Sequence, residues 1–267
     1  MPPDLTFWLA LALKMAVTAG FVVAASMIAE KSGPAVGSMI ATLPIAAAPS
    51  YVFLALDHDA AFIARSALGS LSANAVTGIF ALVYVVVAQR HRLIVSLVAA
   101  LGVWFAAAFA FSAVNWEIVS VVAFNVAVFA VCIPLVMQYC HVAMPRVSRQ
   151  WYDMPLRAVM VACLVAIVVG TSSMVGPSIT GLLAVFPIVL TSLMLIFQPR
   201  IGGPATAALL ANTVWGLAGF STALVVLHLA AIAFGTWIAY ALSLATSMLW
   251  NFAVWLVRRR IAMQAAR

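Results

Sequence analysis

Gly33-Pro34-Ala35-Val36-Gly37-Ser38-Met39-Ile40-Ala41-Thr42-Leu43-Pro44 reappears downstream as Gly176-Pro177-Ser178-Ile179-Thr180-Gly181-Leu182-Leu183-Ala184-Val185-Phe186-Pro187. At a constant offset of 143 residues the two Gly-Pro pairs meet, as do Ala41 with Ala184, Pro44 with Pro187 and, upstream, Lys14 with Arg157. At an offset of 138, Ala73-Asn74 meets Ala211-Asn212 and Gly78 meets Gly216, while Gly102-x-Trp104 is echoed by Gly235-x-Trp237. Gly-Pro pairs and asparagines are uncommon in apolar helices, so this register marks an internal repeat.

Outward from these stretches the chain is a succession of apolar runs. Of its 267 residues 67% are hydrophobic and 7% charged, whereas soluble domains carry about a quarter charged residues. Such a chain cannot cover a water-facing surface, and its longest polar loop, roughly 138–155, is only a connector. A helix needs about 20 mostly apolar residues to cross the hydrocarbon core. The runs that qualify are 5–28, 35–56, 62–88, 93–112, 118–137, 156–174, 179–197, 205–227 and 229–257. Period-two alternation is absent, which argues against barrel strands. The expected fold class is an all-α integral membrane protein of about nine spans, one membrane domain over 1–267. Within it lie a first repeat (5–112), a linker helix and cytoplasmic loop (113–155), and a second repeat (156–257). Five spans separate each residue from its counterpart, so the second copy is inverted.

The charges support the same count. With alternating spans one side collects Lys31, Arg90, Arg92, Arg146, Arg149, Arg200, Arg258, Arg259, Arg260 and Arg267, with Arg157 at the start of the sixth run. The other side collects Asp4, Asp57, Asp59 and Glu117, with Arg65 its clear basic residue. The positive-inside rule then sets the N-terminus outside and the C-terminus in the cytoplasm. No basic region precedes the first run, so it is expected to be a retained helix and not a cleaved signal. The net charge of +7 sits at the ends of apolar runs, not on a face that follows phosphates, which excludes a nucleic-acid partner.

Gly37-x6-Pro44 in the second span, followed by a third span led by Ala64-Arg65 and running to Tyr84, resembles the small GlpM-like family of bacterial inner-membrane proteins, one repeat at a time. The resemblance implies a place in the bacterial inner membrane; it carries no site residue.

Candidate site residues follow from cost. Pro44 and Pro187 each lie ten residues after the proline that opens their run, near the bilayer midplane. A proline inside a helix frees a backbone carbonyl, which must then face protein or a water-filled cavity. Either both helices are interrupted there, offering two half-helix N-termini to an anionic group, or the prolines only kink them for packing. Asn74 and Asn212 lie mid-span, so both amides are expected to point into the bundle, as a symmetric solute-binding pair or as interhelical glue. Lys14 is either an intramembrane anion or proton site or a snorkelling side chain. Asp57-His58-Asp59 is either a cluster that binds a cation or attracts a solute or, as outer-loop acids commonly are, a solvated turn, and Asn125 is a polar group with no evident partner. Cys132, Cys140 and Cys163 lack metal-ligand spacing, and neither a metal nor another cofactor is implied.

Inverted repeats typify secondary transporters, so the expected function is alternating-access transport of a small, anionic or amphipathic solute, a small molecule or an ion. No GxxxxGK[ST] phosphate loop occurs. A membrane assembly subunit, a channel and an intramembrane enzyme are the alternatives; the last lacks clustered acid–base groups at depth. The partners expected are the lipid bilayer, the solute and, compatible with the composition, further copies of the chain as a homo-oligomer.

Overall fold

The computed structural model describes residues 5–31, 47–140, 142 and 150–265. Among them every regular element is a helix: α1 (Leu5–Lys31), α2 (Ala47–Asp57), α3 (Ala60–Val87), α4 (Leu93–Ser112), α5 (Ile118–Met137), α6 (Asp153–Ala184), α7 (Ile188–Ile201), α8 (Gly203–Phe234) and α9 (Thr236–Ala265). Seven are long and apolar enough to cross a membrane, and α7 is a shorter apolar helix. Large apolar side chains face outward, among them Phe109 at 83% exposure, the surface that lipid requires. The chain is a multi-pass helical membrane protein.

Three glycines carry the turns. Gly176, Gly202 and Gly235 share one conformation, φ 76–81° with ψ 165–173°. The positive φ closes one helix, and the extended ψ opens the next within a single residue. Pro177 and Pro204 then stand in the first turns of their helices, where their missing N–H costs nothing. Gly176 therefore divides α6 into segments 153–175 and 177–184.

Contacts give each helix its direction. Asp153 pairs with Arg200, while Ser172 meets His58 at the opposite face. Beyond Gly176 the chain returns, past Ser66 and Ser70 of α3, to Gln198 beside Tyr84 and His91. α8 runs antiparallel to α3, from Gly203 against Ala88 to His228 against Ala64. α1 runs antiparallel to α6, with Leu11 by Gly170 and Val22 packed with Val161 and Val165. The two faces are named below for Asp57 and Arg200.

At the centre α3 packs on α4, α5, α6 and α8. Its small residues let backbones approach: a methyl group added at Gly69 would overlap the Ser178 carbonyl, and one at Gly181 the Ser66 carbonyl.

One expected boundary is corrected. The eighth run does not end near His228; α8 continues to Phe234 and turns at Gly235, because no residue from His228 to Phe234 is a glycine that accepts φ 81°. His228 lies inside the helix, its Nδ1 2.8 Å from the Ala64 carbonyl.

Gly181→Ala should lower the unfolding free energy by about 1–3 kcal/mol, the usual cost of overpacking. Gly102→Ala, with nothing within 4 Å of the new methyl group, should leave it unchanged or raise it by up to about 1 kcal/mol. Unfolding titrations of the two variants in mixed micelles compare them directly.

Candidate functional site

The first candidate place is the interruption at 185–187. Pro187 stands at the N-cap of α7 with ψ 48°, so it breaks this helix and does not merely kink it. Here the Val185 and Phe186 N–H groups turn back to the Leu183 carbonyl, leaving the Gly181 carbonyl without its helical donor. Ser70 supplies the replacement, its Oγ donating to Gly181 O at 2.6 Å. Since that proton is committed, Tyr51 donates to Ser70 Oγ, also at 2.6 Å. Two turns further along α3, Thr77 Oγ1 donates to Ala73 O at 2.9 Å, lies 3.5 Å from the Val185 carbonyl and accepts from Trp104 Nε1 at 3.2 Å. Phe186, inside the break, packs edge-on against Trp104. Pro44, the sequence counterpart of Pro187, lies outside the described residues.

Beside the break is a buried polar layer. Asn74 is fully buried, and its Nδ2 donates to Leu217 O and Ser221 Oγ, both at 2.8 Å. Ser221 donates to Asn125 Oδ1 at 2.9 Å, and Asn125 Nδ2 donates to Leu71 O and Val121 O. Asn125 thus has a partner on each of α3, α5 and α8, tying α5 into the core. The Asn74 Oδ1 atom finds no partner among the described residues.

Asn212 is placed differently. It is exposed and donates to Ala208 O of its own helix. Ser221, which meets Asn74, lies nine positions further on, two and a half helical turns, so Asn212 is on the opposite face of α8. The structure does not bring the two asparagines together.

The second place is a cavity of about 320 Å³ at the Asp57 face, between α1, the end of α2 and α6. Lys14 Nζ forms an ion pair with Asp57 Oδ2 at 2.6 Å and lies 5.8 Å from the centre of the Phe53 ring. His58 Nε2 is 2.8 Å from Ser172 Oγ. Because the Ser172 hydroxyl donates to Val169 O, His58 is the donor of that bond and carries its proton on Nε2. The His58 ring stacks on Phe62. Asp59 turns away and caps α3, accepting from Phe62 N at 2.8 Å. The Asp-His-Asp cluster therefore scatters to three partners, and among the described residues no three His, Cys, Asp or Glu side chains converge as a metal site.

At the Arg200 face, Arg200 grips Asp153 through two bonds of 2.5 and 2.9 Å and lies over Tyr152, while Arg157 lies over Phe197. The offset of 143 carries Lys14 onto Arg157 and Asp57 onto Arg200. At each face an ion pair joins one helix, α1 or α6, to the end of another, α2 or α7, and the base at the matching position, Lys14 or Arg157, lies over a phenylalanine.

The sequence offered a signal for Ser70 and Thr77, which the candidate residues did not include. Ser70, Asn74, Thr77 and Tyr84 repeat at helical spacing on α3, a polar stripe facing the break and its neighbours. No family model matches the chain, no curated protein matches it, and no solved structure matches it.

Ser70→Ala should cost about 1 kcal/mol of stability, the scale of an intramembrane hydrogen bond. Ser112→Ala, which removes an exposed hydroxyl bonded to its own helix, should cost less than about 0.5 kcal/mol. Equilibrium unfolding of both variants reads the difference.

Proposed function

We propose that this chain is a secondary transporter of a small solute in the bacterial inner membrane, working by alternating access. Two inverted four-helix repeats, over 5–112 and 156–257, are joined by α5 and cross the bilayer nine times with α2 and α7 as second halves of broken spans. The GlpM-like resemblance of each repeat belongs to the same reading.

The observation that carries it is the interruption at 185–187, level with Thr77 inside the 28-residue α3. Irregular backbone at that depth is tolerated only where it is buried in protein or lines a cavity, and it is how transporters build sites at the repeat interface. The antiparallel pairs α1 with α6 and α3 with α8 are what an axis in the membrane plane generates. The recurring ion pairs at an offset of 143 add to it. Arg90, Arg92, Arg157 and Arg200 outnumber Asp153 at one face, and Asp57, Asp59 and Glu117 outnumber Lys14 and Arg65 at the other, a bias that supports a cytoplasmic Arg200 face.

Reconstituted in liposomes, the protein should take up at least one member of a labelled panel of amino acids, small organic anions and sugars. Pro187→Ala, which favours a continuous helix, should slow that uptake about tenfold or more, a barrier change near 1.4 kcal/mol, without loss of folded protein. Uptake by neither protein across the panel, or equal rates in both, contradicts the reading.

A further inference from the structure

The cavity at the Asp57 face presents a charge pair that is only partly used. Lys14 has three ammonium donors, of which one goes to Asp57 Oδ2, and its side chain keeps 19% exposure. Asp57 is 39% exposed, and among the described residues its Oδ1 receives no bond. Around them the walls divide by chemistry. Ser172, Ser173 and His58 add polar groups, while Phe7, Leu11 and Val169 form an apolar side. At about 320 Å³ the cavity sits at the lower end of the roughly 300–1,000 Å³ typical of small-molecule sites.

The lining carries one fixed cation and one fixed anion, Lys14 and Asp57, so a ligand with net charge would enter a partly desolvated site without compensation. A zwitterion is compensated at both ends. The 2.6 Å between Lys14 Nζ and Asp57 Oδ2 is comparable to the distance between ammonium and carboxylate within an α-amino acid. Laid head to tail on the pair, such a ligand alternates the four charges in a closed ring, each charge-assisted bond in place. The equivalent pair on the other face is more fully bonded: Arg200 holds Asp153 through both carboxylate oxygens, and the Asp153 side chain is 13% exposed against 39% for Asp57.

We propose that the cavity between α1, α2 and α6 binds a small α-amino acid, its carboxylate on Lys14 and its ammonium on Asp57, with the side chain against Phe7, Leu11 and Val169. As the substrate class of the chain this rests on the transporter reading; as a binding site it stands apart from it.

Calorimetric titration of the purified full-length protein tests it with L-alanine, with propionate, which lacks the ammonium, and with ethylamine, which lacks the carboxylate. Alanine should bind, and the two half-probes should each bind about tenfold more weakly or worse. Lys14→Gln and Asp57→Asn should each weaken alanine about tenfold or more. The exchange Lys14→Asp with Asp57→Lys should restore binding to within a few-fold, which a merely misfolded site would not do. The proposal is overturned if folded wild type does not bind alanine, if propionate binds as well as alanine, or if either single variant binds alanine unchanged. Alanine binding without uptake would sink transport and leave the site; uptake of another solute without alanine binding would do the reverse.

Discussion

Hydrocarbon offers no partner to a backbone carbonyl, so a helix can be interrupted inside a bilayer only where neighbouring helices carry the missing donors to it. The break at 185–187 meets that condition through α3. Ser70 donates to the Gly181 carbonyl at 2.6 Å, while the Thr77 hydroxyl, bonded to Ala73 O at 2.9 Å, makes a longer contact of 3.5 Å with the Val185 carbonyl. A serine hydroxyl is short, which makes the close approach at Gly69 and Gly181 a requirement of the same bond: a methyl group at either would push the backbones apart. Ser70 is held in turn by Tyr51, whose own carbonyl receives the Tyr240 hydroxyl. The break, the glycine contact and the chain of hydroxyls from α9 through α2 to α3 therefore form one dependent unit.

Much of this was legible in the sequence because it rests on residues with narrow uses. Gly176-Pro177 marks where a helix opens, and Pro187 had to disturb one, whereas the turn at Gly235 fell inside the expected ninth run because apolar residues flank it on both sides. The runs 93–112 and 118–137 coincide with α4 and α5 because charged or polar residues flank them closely. What was not legible depends on which way a face turns. Asn74 and Asn212 look equivalent along the chain, yet the side of α8 that meets α3 presents Leu217 and Ser221, leaving Asn212 exposed. Asn125 looked unaccompanied only because its partners are a backbone carbonyl of α3 and a serine 96 positions away. Lys14 stayed open between a charged site and a snorkelling side chain because nothing nearby in the sequence reveals that α2 delivers Asp57 to it.

The two faces differ in how their ion pairs are closed. At the Arg200 face the guanidinium holds both carboxylate oxygens and the pair is shielded by Tyr152, an arrangement that favours a planar donor over a lysine. At the Asp57 face a lysine makes one bond beside an open cavity. Under the proposed alternating-access cycle this asymmetry would correspond to a state entered from the Asp57 face, with Phe186 of the break packed against Trp104.

The most direct test of that cycle is the accessibility of the break itself. Val185→Cys, in a variant whose Cys132, Cys140 and Cys163 are replaced, would be labelled with a membrane-impermeant maleimide from each side of oriented proteoliposomes. Alternating access around the interruption predicts labelling from both sides, with a transported solute shifting the balance between them. A cysteine that reacts from neither side, or from one side alone under every condition, would contradict it.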